Sequence, residues 1–271
     1  MDKHIFSRWQ AALCTLFVLA DGLYLSGIGW LPLLCSAAVS AALLFVLLKL
    51  PEKLLDTVCA VLALLLTLRS ISRIFFFWQY EGTQAALAVV LLVLTAWLLS
   101  RRGADCLFMW SFPVMLTAVV LLLLSVAVTV PDWNFGYLAL PAPRALLSES
   151  ARMVPAFLAV LLPAHLAGGA KAPAWGLLLG GGLLALLSLR TLLLLGGTTY
   201  AYPVYAAAGL AAVGDFLKRC EVVFAAVLVL CECARIAVCF SFVRTCGGQK
   251  RSTAPSRAVQ QERARKSAGK P

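Results

Sequence analysis

Charge is what this chain has least of. Only 13% of its 271 residues are Asp, Glu, Lys or Arg, and just 12 are acidic. A water-soluble domain covers its surface with roughly a quarter charged residues, so a soluble fold is excluded and the bilayer is the solvent. Also missing is the polar/apolar alternation over segments of about ten residues that builds outer-membrane barrels. The long Leu, Ala and Val runs instead read as helices. There is no G-x-S-x-G and no H-E-x-x-H, which removes the two commonest hydrolase signatures; the protein is not expected to be an enzyme. Gly180-Gly181-Gly182 lacks the preceding strand and following Lys-Ser/Thr of a phosphate-cradling loop. It marks a place for close helix packing or a bend. No internal repeat is visible.

What is present is apolar: 62% of the residues, with a mean hydropathy of +0.93. The nine cysteines fall mostly inside apolar runs, where they act as small hydrophobic side chains. Cys231-Glu232-Cys233 is not a metal spacing, because helical neighbours two apart diverge; neither a metal nor another cofactor is expected. A cleavable signal peptide is not expected either, since the first apolar segment holds Asp21 and runs straight into a second.

Runs long enough to span a bilayer fall at roughly 9–29, 30–48, 54–77, 84–100, 106–130, 152–170, 174–196 and 222–243. The expected architecture is therefore an all-α integral membrane protein, a polytopic bundle of about eight spans. The net charge of +11 is read as topology and not as nucleic-acid binding. With both termini cytoplasmic, fifteen of the 23 Lys and Arg residues lie inside, four outside and four within spans, as the positive-inside rule requires. A ninth span over 198–218 would export the basic tail, so that piece is expected on the outer surface or as a re-entrant segment. Residues 131–149 read as an interfacial outer loop. Residues 1–246 form the membrane domain, and 247–271 read as a basic, disordered cytoplasmic tail drawn to anionic lipid.

Ionisable residues inside spans cost a few kcal/mol each unless they face protein, water or one another. Arg69, Arg73 and Arg190 sit high enough in their helices for snorkelling to the outer interface to account for them. Asp21 lies too near the midplane for its short side chain to reach water. Glu232 is equally deep, with Arg235 one turn on as a neutralising i,i+3 partner. His165 follows Pro163 and precedes Gly168-Gly169, where a broken helix would turn backbone groups toward a cavity; it reads equally as a helix-end histidine near the inner interface. Asp21, His165, Glu232 and Arg235 are the expected ligand-binding set.

Three segments carry a resemblance: Tyr202-Pro203, then Phe216-Leu217-Lys218-Arg219-Cys220-Glu221, then Ala234-Arg235-Ile236-Ala237. They resemble the spore germination permease family, the B subunits of nutrient germinant receptors, related to the amino acid/polyamine/organocation transporters. Phe216, Leu217, Arg219 and Glu221 fit the family's F-L-x-R-x-E motif, and Arg235 stands where its lysine is expected. Phe6-Ser7-Arg8-Trp9-Gln10 and Arg101-Arg102-Gly103 with Phe112-Pro113 are weaker echoes, so the likeness runs loosely over 5–246. Family members have about ten spans and an F-G-E step where Met153-Val154-Pro155 stand here.

The resemblance implies a shortened version of the five-plus-five inverted-repeat fold, in a bacterial inner membrane such as that of a spore. It implies sensing of a small amino-acid-like nutrient. The implied partners are a larger membrane subunit and a lipoprotein, with the lipid bilayer as surroundings and no nucleic acid. An amino-acid permease coupled through Asp21 or Glu232, or a scaffold without ligand, are the other expectations from the same residues.

Overall fold

In hydrocarbon no water is present to satisfy backbone groups, so an apolar run must bond its own N–H and C=O groups, which a helix does. In the structure, a computed structural model, every regular element among the described residues is a helix. Those residues are 3–22, 24, 29–80, 84–138, 142–196, 202–209 and 224–245. The helices are α1 (Lys3–Gly22), α2 (Trp30–Leu47), α3 (Glu52–Tyr80), α4 (Ala85–Arg101), α5 (Ala104–Thr129), α6 (Pro143–Phe157), α7 (Leu161–Ala167), α8 (Lys171–Leu195), α9 (Pro203–Gly209) and α10 (Phe224–Thr245). A 3-10 turn, Leu158–Val160, joins α6 to α7.

Six stretches among the described residues are long and apolar enough to cross a membrane: Trp30–Leu47, Glu52–Gln79, Asp105–Asp132, Pro143–Ala167, Lys171–Leu195 and Phe224–Thr245. α4 is apolar but shorter, at 17 residues. α1 has 20 residues, with Arg8 and Asp21 among them, and it ends at Gly22, short of the expected 9–29 run. Part of the stretch expected as an outer loop is regular among the described residues. Val130–Asp132 and Phe135–Tyr137 form 3-10 turns, and Pro143 opens α6 at its first turn, where a missing N–H costs nothing.

The bundle is apolar outside, and its apolar interior also encloses charged side chains. Leu64, Leu65, Leu68 and Phe76 of α3, Val90 and Leu91 of α4, and Leu116, Val120 and Leu124 of α5 are exposed, while Asp21, Arg190, Glu232 and Arg235 are buried. This inverts the pattern of a protein folded for water and suits lipid around the rim.

α1 runs through the middle and packs on α8 and α5; α2 packs on α8 and α6, and α3 on α4. The α1–α8 approach depends on small residues. A Cβ added at Gly176 would overlap the Ala11 carbonyl oxygen, and one at Gly180 would press on Val18 and the Thr15 carbonyl. Thr15 Oγ1 donates within hydrogen-bond reach of both the Ala11 and Gly176 carbonyls, at 3.0 and 3.1 Å. Of the glycine triplet, Gly181 meets Ala37 of α2 and Gly182 faces open space. The triplet is thus a packing device, and α8 runs unbroken through it.

Candidate functional site

α1 ends in Asp21-Gly22. Gly22 sits against Leu184, thirteen residues into α8, about 20 Å along that helix at 1.5 Å per residue. Asp21 is therefore near mid-depth, as expected from its sequence position. Its carboxylate is fully enclosed, and three arginines converge on Oδ1. Arg73 Nη1 is 2.5 Å away, Arg235 Nη1 3.3 Å and Arg69 Nη2 3.5 Å. Arg69 and Arg73 come from successive turns of α3, so one face of that helix presents both. Arg235 comes from α10, and its Nε is also 3.5 Å from Glu232 Oε2, one turn earlier. Ser70 of α3 lies beside Glu232.

The expected acid–base pair on the last helix is thus present, but it belongs to a larger set of three arginines and two carboxylates. Asp21, Glu232 and Arg235 are brought together. Burial makes their mutual contacts obligatory, because an isolated charge removed from water costs several kcal/mol.

Arg69 and Arg73 correct the snorkelling expectation. Arg73 turns inward to Asp21, with its side chain 17% exposed, and stacks over Tyr24 at 5.0 Å. Arg69 is 47% exposed and is the open edge of the set. Depth along one helix cannot tell which way a side chain faces. A buried carboxylate on a neighbouring helix outweighs the pull of the interface. Arg190 also differs from that expectation. It is wholly buried, donating from Nε to Thr129 Oγ1 at 3.0 Å and from Nη2 to the Ala207 carbonyl at 2.8 Å, with its guanidinium over Phe224.

His165 does not join the set. Its Nε2 is 2.8 Å from Asp56 Oδ1 of α3, near the end of the bundle where Gln10 Nε2 donates to the Ala167 carbonyl. Gln10 is eleven residues from Asp21, about 16 Å along α1. The reason is local: Gly168 in the left-handed conformation (φ 68°) closes α7 immediately after His165, so the histidine is a helix-end residue. Sequence reasoning missed Asp56 as its partner. Its position at the fifth residue of α3 reads as an ordinary acid in a helix's N-terminal region.

Above the charged set stands an aromatic group. Phe77 packs edge-on to Tyr24, Tyr202 and Tyr205, with centroids 6.5, 5.4 and 5.2 Å away. Tyr202 and Pro203 thus begin a short segment that reaches the interior: Pro203 opens α9, and Val204 and Ala207 are buried. At seven residues, about 10 Å long, α9 cannot cross a core about 30 Å thick. The Arg190 bond to Ala207 satisfies backbone at that depth, as interior backbone requires. Phe216, Leu217, Arg219 and Glu221 lie outside the described residues, as does the tail from 247 onward.

The chain matches no protein-family model, no curated protein and no solved structure.

Proposed function

We propose that this protein is a multi-pass membrane receptor subunit similar to the spore germination permeases, and that it binds a small amino-acid-like nutrient beside Asp21. The reading takes α1, α2, α3, α4, α5, α6 together with α7, α8 and α10 as eight spans of a shortened inverted-repeat fold in a bacterial inner membrane, with both termini cytoplasmic. A membrane A-type subunit and a lipoprotein are its partners.

One observation carries it: a helix ends at mid-depth with a buried carboxylate under three arginines, one of them half open. Three cations against two carboxylates leave room for one more negative group. A ligand carboxylate arriving past Arg69 would balance the third guanidinium, and a ligand ammonium could share the acid. The Tyr24, Phe77, Tyr202 and Tyr205 rings supply the apolar wall that orients such a ligand. Binding would favour one arrangement of α1 against α3 and α10 and so shift a conformational equilibrium.

The test is the thermal stability of the detergent-purified chain against a panel of amino acids. A binder raises the melting temperature by mass action, by about 2.7 kcal/mol of stability at a hundredfold excess over Kd. At least one amino acid is expected to do so, and Arg69→Gln should weaken the response while leaving the ligand-free melting temperature nearly unchanged. A flat panel would leave only the scaffold reading.

A second reading, a proton-coupled amino-acid permease, is favoured by Glu232. Both of its oxygens are buried, and no hydrogen bond of good geometry reaches either among the described residues. Uptake into proteoliposomes that depends on a pH gradient and disappears in Glu232→Gln would select it over sensing.

A further inference from the structure

The end of the bundle near His165 holds a cleft of about 330 Å³ between the α4–α5 turn and the last turn of α10. Arg101, Arg102 and Arg244 line it together with Ser100, Ser241 and Thr245. All three arginines are exposed, and Gly103 makes the turn between α4 and α5 with φ 92°.

Arginine at a helix C-terminus has an ordinary task, which is to cap free carbonyls, and Arg244 performs it by donating from Nη1 to the Arg101 carbonyl at 2.9 Å. The task does not use up the charge. Two helix C-termini contribute about half a negative charge each and the α5 N-terminus about half a positive one. Asp105, in the first turn of α5, subtracts one more. Three guanidinium groups against these leave the cleft with an excess of about one to two positive charges. Among the described residues the Arg102 side chain has no hydrogen-bond or ion-pair partner, and Arg101 only stacks over Trp97 at 4.9 Å. Residues 246–271 cannot neutralise the excess, since they carry seven Lys and Arg against Glu262 alone.

The cleft is also continuous with the apolar rim. Trp97 and Leu98 of α4 and Val243 of α10, within one turn of the arginines, are exposed. A ligand suited to both parts has a phosphate head and hydrocarbon tails. We propose that Arg101, Arg102 and Arg244 form a binding site for the phosphate of an anionic glycerophospholipid, with its acyl chains lying along Trp97, Leu98 and Val243.

The shared chemistry is phosphate recognition by arginine, and the test separates a lipid from a free anion. The full chain is purified in a neutral detergent, given phosphatidylglycerol, phosphatidylcholine or inorganic phosphate, and examined by native mass spectrometry and thermal unfolding. Phosphatidylglycerol is expected to remain bound and to raise the melting temperature, with phosphatidylcholine and phosphate doing neither. Retention should fall about fivefold per arginine removed, in Arg102→Gln and in the triple Gln variant. Arg102→Gln breaks no contact in the fold, so its result stands even where the triple variant is unstable. Lys49→Gln with Lys53→Gln, two cations outside the cleft, should leave retention unchanged. Equal stabilisation by phosphate would overturn the lipid assignment, and an equal loss in the lysine variant would reduce the cleft to general surface charge. Phosphatidylglycerol retention that survives Arg102→Gln and the triple variant unchanged would remove the site altogether.

Discussion

Two acid–base sets stand on one helix, and the difference between them is their solvent. Asp56 meets His165 near the start of α3, with side chains 45% and 21% exposed. Arg69 and Arg73 meet Asp21 thirteen and seventeen residues later, about 20–25 Å along, where Asp21, Glu232 and Arg235 are sealed. Near water an ion pair replaces good hydration with a modest attraction and nets little. At mid-depth the alternative to pairing is a bare charge, so every member depends on the others. The exposed set is a contact, whereas the buried one is a condition for folding α1 into the centre.

The contrast is broken most directly at Asp21. Asp21→Ala leaves Arg235 and Arg73 facing no carboxylate at Oδ1 and should cost about 3–5 kcal/mol. The buried thiols of Cys14, Cys59, Cys231 and Cys239 give the readout, because a thiol-reactive dye labels them only as the bundle opens on heating. Changing both partners, Asp21→Leu with Arg235→Met, removes one charge of each sign and should recover at least half of the loss, in keeping with the behaviour of buried pairs replaced by apolar groups. A double variant as unstable as Asp21→Ala would show that shape, not charge, holds this junction.

Within the buried set the two α3 arginines sharpen the same contrast. Arg73→Ala removes a charge-assisted bond and the stacking on Tyr24, and about 1.5–3 kcal/mol is expected. Arg69→Ala, at the open edge, should cost less than about 1 kcal/mol. If the two melt alike, the gradient of burial from Arg235 to Arg69 is not what orders the set. A packing control belongs beside them. Gly176→Ala touches no charge, yet it pushes α1 off α8 and should cost about 1–3 kcal/mol. It should disturb labelling of Cys14, which lines that contact, before that of Cys231.

Much of the frame was legible because each apolar run answers to bilayer thickness alone. Most helices fall where those runs do, though α1 ends short of its run and α6 begins nine residues ahead of its own. Asp21, Glu232 and Arg235 stood out because depth can be counted along a single helix. What could not be counted is azimuth. Arg73 and Arg190 look like snorkelling residues until the helices facing them are known. Asp56 shows nothing unusual until α7 delivers His165. α1 is the clearest case: an apolar run bounded by Arg8 and Asp21, it lies at the centre, where its residues 12–20 are almost fully covered by protein. The resemblance to germination permeases rests largely on residues between 202 and 237, and half of its motif positions lie outside the described residues.

The smallest effect is expected at the exposed pair, and it is the one that makes the comparison quantitative. Asp56→Asn keeps the shape and a hydrogen-bond acceptor for His165 while removing the charge. Only the ionic part is lost, and half of that carboxylate already faces solvent, so the change should be below about 1 kcal/mol. With His165 protonated, it should also fade as salt is raised, since charges near water are screened over about 8 Å at physiological ionic strength. The Asp21→Ala penalty should be nearly salt-independent, because no counter-ion reaches it. Thermal labelling of both variants at low and high salt therefore separates the sets without reference to any ligand. A salt-insensitive Asp56→Asn penalty of several kcal/mol would mean that the His165 end is closed to water too, and that the helix carries two buried sites and not one.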